Sequence, residues 1–166
     1  GSGTLDNLDN VILELRGLAG YDISVAEKVT ITPYAGLGFR YLYNDLRGVS
    51  STGANGYERE SRYLYSPIGA EAVVELNEGW SVGTKAEFDY FWGGIQKSYL
   101  SQAIAGLNDI ENDQEEGYGV RGSIKIQKKG DRMNYIIEPF VNYWDIAQSE
   151  STNITYSGTI IGYGYE

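Results

Sequence analysis

Residues 80–92 have the sequence WSVGTKAEFDYFW, in which apolar and polar side chains alternate. Nearly every second residue is apolar or aromatic: Trp80, Val82, Ala86, Phe88, Tyr90 and Trp92. Between Trp80 and Tyr90 the intervening residues are small or charged: Ser81, Gly83, Lys85, Glu87 and Asp89. A period of two is typical of a β-strand with one apolar and one polar face.

The same period recurs in six segments, near residues 10–24, 29–44, 60–76, 80–93, 117–128 and 133–146. Short turns (26–28, 77–79 and 128–131) alternate with long polar connections (44–59, 93–116 and from 146 onward). Residues 155–165 are rich in Tyr, Gly and Ile but poorly phased, so we interpret them as loop or strand extension. Strict alternation of loop length is typical of up-and-down barrels in outer membranes. The sequence therefore predicts an all-β antiparallel meander that forms one transmembrane β-barrel domain over residues 1–166, without a long helix.

The aromatic residues of the apolar face form two groups. Those beside the short turns are Tyr21, Trp80 and Tyr135. Those toward the long connections are Tyr41, Tyr43, Tyr90, Trp92, Tyr118 and Tyr143. Two aromatic girdles around an aliphatic band are typical of a membrane barrel. We expect the band, which includes Leu15, Leu37, Val74, Val82 and Ile124, to face lipid; the alternative is a soluble sandwich or lipocalin-like barrel with this face inward.

The polar face of the same strands carries six acids and five bases. They are Glu14, Arg16, Arg40, Glu71, Glu75, Lys85, Glu87, Asp89, Arg121, Lys125 and Glu138. In a narrow lumen these charges must pair across strands, because an unpaired buried charge costs several kcal/mol. The sequence therefore predicts a closed lumen rather than a wide pore, with ion pairs between the five bases and Glu14, Glu71, Glu87, Asp89 and Glu138.

Composition and motifs argue against several functions. The net charge of −10 argues against nucleic acid as a partner. The absence of Cys and His removes thiolate chemistry and the commonest general base, so we expect neither an enzyme nor a cofactor. The G-x-G-x-x-G pattern at residues 117–122 lies within an alternating strand and lacks the helix of a dinucleotide site. Asp109, Glu111 and Asp113 form a weak metal candidate, for which a solvated loop is the simpler interpretation.

Three segments carry a family resemblance. LELRGLAGY at residues 13–21, TPYAGLGFRYL at 32–42 and EPFVNYWD at 138–145 resemble small porin-like or OmpA-like outer-membrane β-barrel proteins of Gram-negative bacteria. The resemblance implies the bacterial outer membrane as location, with its lipid and lipopolysaccharide as partners. Such proteins commonly end in a strand with a terminal Phe, whereas this sequence ends in Gly164, Tyr165 and Glu166. We therefore expect strands to be missing before residue 10 and after residue 166, and eight or ten strands in the intact protein.

Three functions are compatible with this pattern. The first is a barrel with a charge-filled lumen and a structural, adhesive or surface-interaction role carried by its long external loops. The second is a narrow channel or small-ligand transporter. The third is a soluble or self-assembling β-protein whose copies associate through open strand edges.

Overall fold

The computed structural model describes residues 4–5 and 8–165. Its strands are β1 (Asp9–Gly20), β2 (Ile23–Ala26), β3 (Val29–Asp45), β4 (Glu58–Glu75), β5 (Trp80–Ser98), β6 (Ile110–Gln114), β7 (Gly117–Lys129), β8 (Asn134–Ile137), β9 (Phe140–Ile146), β10 (Thr152–Tyr156) and β11 (Thr159–Gly164). A 3₁₀ turn (Asn77–Gly79) precedes β5, and the one-turn helix α1 (Leu100–Ala103) follows it.

Nine of these strands form one antiparallel sheet that is curled as a half-barrel. Its order is β1-β3-β4-β5-β7-β8, with β2 also paired to β3, β6 to β5 and β9 to β7. The strands β10 and β11 form a separate two-stranded sheet. The prediction of an all-β antiparallel meander is thus confirmed.

The two edge strands are interrupted where the sequence predicted continuous ones. The first predicted segment breaks at Tyr21 and Asp22, between β1 and β2. The last breaks at Glu138 and Pro139, between β8 and β9. Proline has no N–H to donate to a β-ladder and is tolerated at a sheet edge, which accounts for the second break.

The long connection predicted over residues 93–116 is wrong in part, because strand pairing continues into it. The strand β5 runs to Ser98 and pairs with β6 through Gly94 and Gln114 at one end and Ser98 and Ile110 at the other. A β-bulge makes this possible: Leu64 pairs with Gly93 and Tyr65 with Phe91, which leaves Trp92 as the extra residue. Gly93 has a φ of 153°, a conformation that glycine adopts without strain.

No helix in the described part of the chain is long and apolar enough to cross a membrane.

The packed core lies on the concave face, where aromatic rings cover glycines of neighbouring strands. The ring–glycine pairs are Tyr65 over Gly38, Tyr34 over Gly69, Tyr63 over Gly94 and Trp144 over Gly119. A Cβ on Gly38 would lie 2.2 Å from Cζ of Tyr65, and that tyrosine is fully buried. The ring of Tyr65 also meets Trp144 edge-on, with centroids 5.0 Å apart. Glycine is therefore required at 38 for room, not for backbone freedom.

The convex face is apolar and exposed across the whole sheet. Leu15, Leu37 and Ile124 are 73%, 62% and 55% exposed. The strand registers also align apolar residues in rows, one of which contains Val29, Val74, Val82, Ile126 and Ile137. An exposed apolar surface of this extent is typical of a protein–protein or membrane interaction site.

We expect Gly38→Ala to lower the free energy of unfolding by about 1–3 kcal/mol, because the new methyl group overlaps the buried ring of Tyr65. Gly17→Ala is the matched control, since a Cβ at Gly17 meets nothing within 4 Å. Urea unfolding of both variants measures the difference. Equal effects of the two substitutions would contradict the packing of Tyr65 on Gly38.

Candidate functional site on the concave face

Five ionisable side chains meet in the middle of the concave face. The strand β1 supplies Glu14 and Arg16, β5 supplies Glu87 and Asp89, and β7 supplies Arg121. We call these five residues the central charge cluster. Alternation along each strand directs them inward, because each lies in phase with the other polar residues of its strand.

Arg121 is the hub of the central charge cluster. Its Nε donates to Oδ2 of Asp89 over 2.9 Å, and its Nη1 donates to Oε2 of Glu14 over 3.0 Å. Its Nε also lies 3.2 Å from Oε1 of Glu87. The side chains of Asp89 and Glu87 are 0% and 1% exposed, so these ion pairs are shielded from solvent.

Two tyrosine hydroxyls donate hydrogen bonds to the cluster. Tyr34 donates to Oε2 of Glu87 over 2.8 Å, and Tyr65 donates to Oε1 of Glu14 over 2.5 Å. Arg16 pairs with Oε1 of Glu87 at 2.5 Å. The sequence analysis did not single out either tyrosine, although both have the inward phase of β3 and β4. Their hydroxyls supply hydrogen bonds that enclosed carboxylates need.

The contact between Glu14 and Arg121 joins strands that are not neighbours. Three strands, β3, β4 and β5, lie between β1 and β7 in the sheet. Four steps of about 4.8 Å would separate β1 from β7 by about 19 Å in a flat sheet. The two side chains meet because the sheet is curled, so this ion pair is a chord across the half-barrel.

Further ion pairs lie toward the short turns. Lys125 pairs with Glu71, and Nζ of Lys85 lies 3.9 Å from Oε1 of Glu138. Glu75 was expected among the enclosed charges, but its side chain is 63% exposed and lies 3.7 Å from Nζ of Lys129. That expectation is wrong because Glu75 ends β4 at the rim, where solvent screens its charge.

Arg40 does not form the ion pair that the sequence predicted. In the β1–β3 register it lies opposite Glu14, but both oxygens of that carboxylate are engaged by Arg121 and Tyr65. Its guanidinium instead lies 5.3 Å from the ring centroid of Trp144. A cation–π contact therefore replaces the expected pair with a carboxylate.

The aromatic residues predicted to form girdles lie toward the two ends of the sheet. Tyr21, Trp80 and Tyr135 are exposed near the short turns. Toward the long connections Tyr90 meets Trp92 at 5.1 Å, Tyr118 meets Tyr143 at 6.4 Å, and Tyr41 and Tyr43 are half-buried. Their contact with lipid stays a prediction. Nε1 of Trp92 donates to Ser66 over 2.8 Å, a contact that the sequence pattern did not indicate.

The acidic loop residues do not assemble into a metal site within the described part of the chain. Asp109 instead accepts hydrogen bonds from the backbone N–H and hydroxyl of Ser101, at 3.1 and 2.7 Å. Glu111 and Asp113 lie on the exposed side of β6.

At the end of β3, hydrogen bonds from Arg47 lower the pKa of Asp45 to about 2, which keeps that pair ionised at ordinary pH.

We expect Arg121→Ala to destabilise the protein by about 3–5 kcal/mol, because it leaves Glu14 and Asp89 without their main cationic partner in an enclosed site. Arg62→Ala is the control. The side chain of Arg62 is exposed and forms an ion pair with Glu60 at 3.0 Å. Exposed ion pairs contribute about 0–1 kcal/mol to the free energy of unfolding. Denaturant unfolding compares the two. Similar small losses for both variants would show that the cluster is solvated.

Comparisons with known proteins assign no family. No family model matches this chain, and no curated protein is significantly similar to it.

Proposed function

We propose that this chain forms the wall of a bacterial outer-membrane β-barrel. Its convex face contacts lipid, its concave face is filled with paired charges, and its long connections carry a structural, adhesive or surface-interaction role. The observation that carries the proposal is the exposed apolar convex face combined with a concave face of enclosed ion pairs. This inside-out distribution suits a barrel in lipid better than a soluble one, whose apolar face would be its core.

The height of the apolar face supports the proposal. From Trp80 to Tyr90 is ten residues, or about 33 Å of strand. Tilted at about 45°, that strand covers roughly 23 Å, close to the apolar band of outer-membrane barrels. Trp80 and Tyr90 lie at the two ends of this span, where aromatic side chains favour the membrane–water interface.

The chord between Glu14 and Arg121 favours a barrel of eight strands. In a ring of eight, the first and fifth positions are diametrically opposite, and β1 and β7 hold those positions in the sheet order. The interior of an eight-stranded barrel is just wide enough for side chains to fill it. We therefore propose that two further strands close the barrel.

A filled interior argues against the alternative of a channel. The central charge cluster bridges β1, β5 and β7 across the concave face. Single-channel recording in planar bilayers separates the two functions. A closed interior gives no steady conductance, and steady conductance of the intact protein would support the narrow channel or transporter.

Association between copies is a second candidate, favoured by the open edges. Among described residues, no strand outside the nine-stranded sheet pairs with β1 or with β8 and β9. Unpaired edges of this kind are templates for another strand. Analytical ultracentrifugation without detergent tests this candidate, since it requires a discrete soluble oligomer.

Membrane insertion is the direct test of the leading proposal. The protein is refolded with phospholipid vesicles, which are then floated on a density gradient and treated with protease. We expect β-sheet circular dichroism in the floating fraction and cleavage confined to the long connections. A stable monomer that remains in detergent-free buffer and does not float would refute the proposal.

An arginine substituted on the convex face should cost more the deeper it lies. Ala86 lies midway between Trp80 and Trp92, and we expect Ala86→Arg to lower the free energy of unfolding in vesicles by about 2–4 kcal/mol. Val82 lies two residues from Trp80, so we expect Val82→Arg to lower it by less. Val49→Arg is the control, because Val49 is 67% exposed in the connection between β3 and β4. Unfolding of the vesicle-bound protein measures all three. Equal costs for Ala86→Arg and Val49→Arg would place the convex face in water.

A further inference from the structure

A cavity of about 150 Å³ lies beside the central charge cluster, next to the edge strand β9. Its lining includes Arg16, Lys85, Arg121, Ser123 and Glu138. About 15 Å³ of such space suffices for one water molecule, so the cavity has room for a small polyatomic ion. Three of its lining side chains are cationic and one is anionic.

Two of the three cations have donors to spare. The Nε of Arg16 is buried and has no hydrogen-bond partner, although its Nη2 is bound to Glu87. The ammonium group of Lys85 has three N–H donors, and its contact with Glu138 is 3.9 Å long, beyond hydrogen-bonding distance. Arg121, by contrast, already donates to Glu14 and Asp89. Lys85 therefore supplies the unused donors that solvent can reach, and Arg16 adds positive charge to the cavity wall.

The one acid that lines the cavity accepts a hydrogen bond from a neighbouring serine. Oε1 of Glu138 accepts a hydrogen bond of 2.7 Å from the hydroxyl of Ser123. The carboxylate of Glu138 competes with a bound anion for Lys85, because among the described residues it is the acid nearest to the Lys85 ammonium group. An anion in the cavity would thus gain from Lys85 and be opposed by Glu138.

We propose that Arg16 and Lys85 form a binding site for a small oxyanion on the concave face. The ligand class is a free phosphate or the carboxylate of a small solute. Both present several oxygens to N–H donors, and hydrogen bonds between ionised partners are stronger than neutral ones. The site depends on the concave face alone, so it does not rest on the membrane proposal.

Isothermal titration calorimetry of the full chain with inorganic phosphate, and separately with acetate, tests the site. We expect saturable binding of at least one of these ions, and tighter binding of phosphate identifies the ligand as a phosphate rather than a carboxylate. Lys85→Gln should weaken binding about tenfold or more, since a hydrogen bond to a charged group contributes about 1.5–3 kcal/mol.

Two further variants separate a binding site from a general effect of charge or of misfolding. Lys129→Gln is the matched control, because Lys129 also lies at a long distance, 3.7 Å, from a carboxylate but away from the cavity. It should bind as the unmodified protein does. Glu138→Gln removes the opposing charge and should tighten binding several-fold, a gain that misfolding does not produce. Three results would overturn the proposal. The first is that the unmodified protein shows no saturable binding, and the second is that Lys85→Gln and Lys129→Gln weaken binding equally. The third is that Glu138→Gln leaves binding unchanged or weakens it.

Discussion

The ion pair between Glu14 and Arg121 is the contact on which the rest of the structure depends. It joins β1 to β7 across three intervening strands, so it exists only while the sheet is curled. Charges withdrawn from water stabilise a fold only when their partners and hydrogen bonds are complete. Arg121 meets that condition through Asp89 and Glu14, and Tyr65 supplies the further hydrogen bond to Glu14.

Curvature also requires that backbones and rings fit closely on the concave side. Tyr65 lies on Gly38 and Tyr34 lies on Gly69, so each ring occupies the volume that a side chain on the neighbouring strand would fill. The same tyrosines present their hydroxyls to the central charge cluster. Ring packing and charge pairing are therefore one arrangement, and the apolar side chains are left for the convex face. That division is the physical basis for proposing a barrel in lipid.

The period of two predicted which face each side chain takes, because alternation is a local property of an extended chain. Glu87, Asp89 and Arg121 point inward and Leu37 and Ile124 outward for this reason. The partners are not local. Glu14 pairs with Arg121, which lies 107 residues further along the chain, and not with Arg40 on the neighbouring strand. The bulge at Trp92 extended β5 into a segment predicted as loop, since polar residues there pair through the backbone rather than through an apolar pattern.

A double-mutant cycle on Glu14 and Arg121 tests the central claim most directly. The free energy of unfolding is measured for the unmodified protein, Glu14→Ala, Arg121→Ala and the double variant. Residues in one ion-pair network are coupled by about 0.5–3 kcal/mol, whereas distant sites add within about 0.5 kcal/mol. If the ion pair between Glu14 and Arg121 holds the sheet curled, we expect a coupling energy between the two residues of about 1.5 kcal/mol or more. Additivity of the two substitutions would show that β1 and β7 do not meet across the concave face.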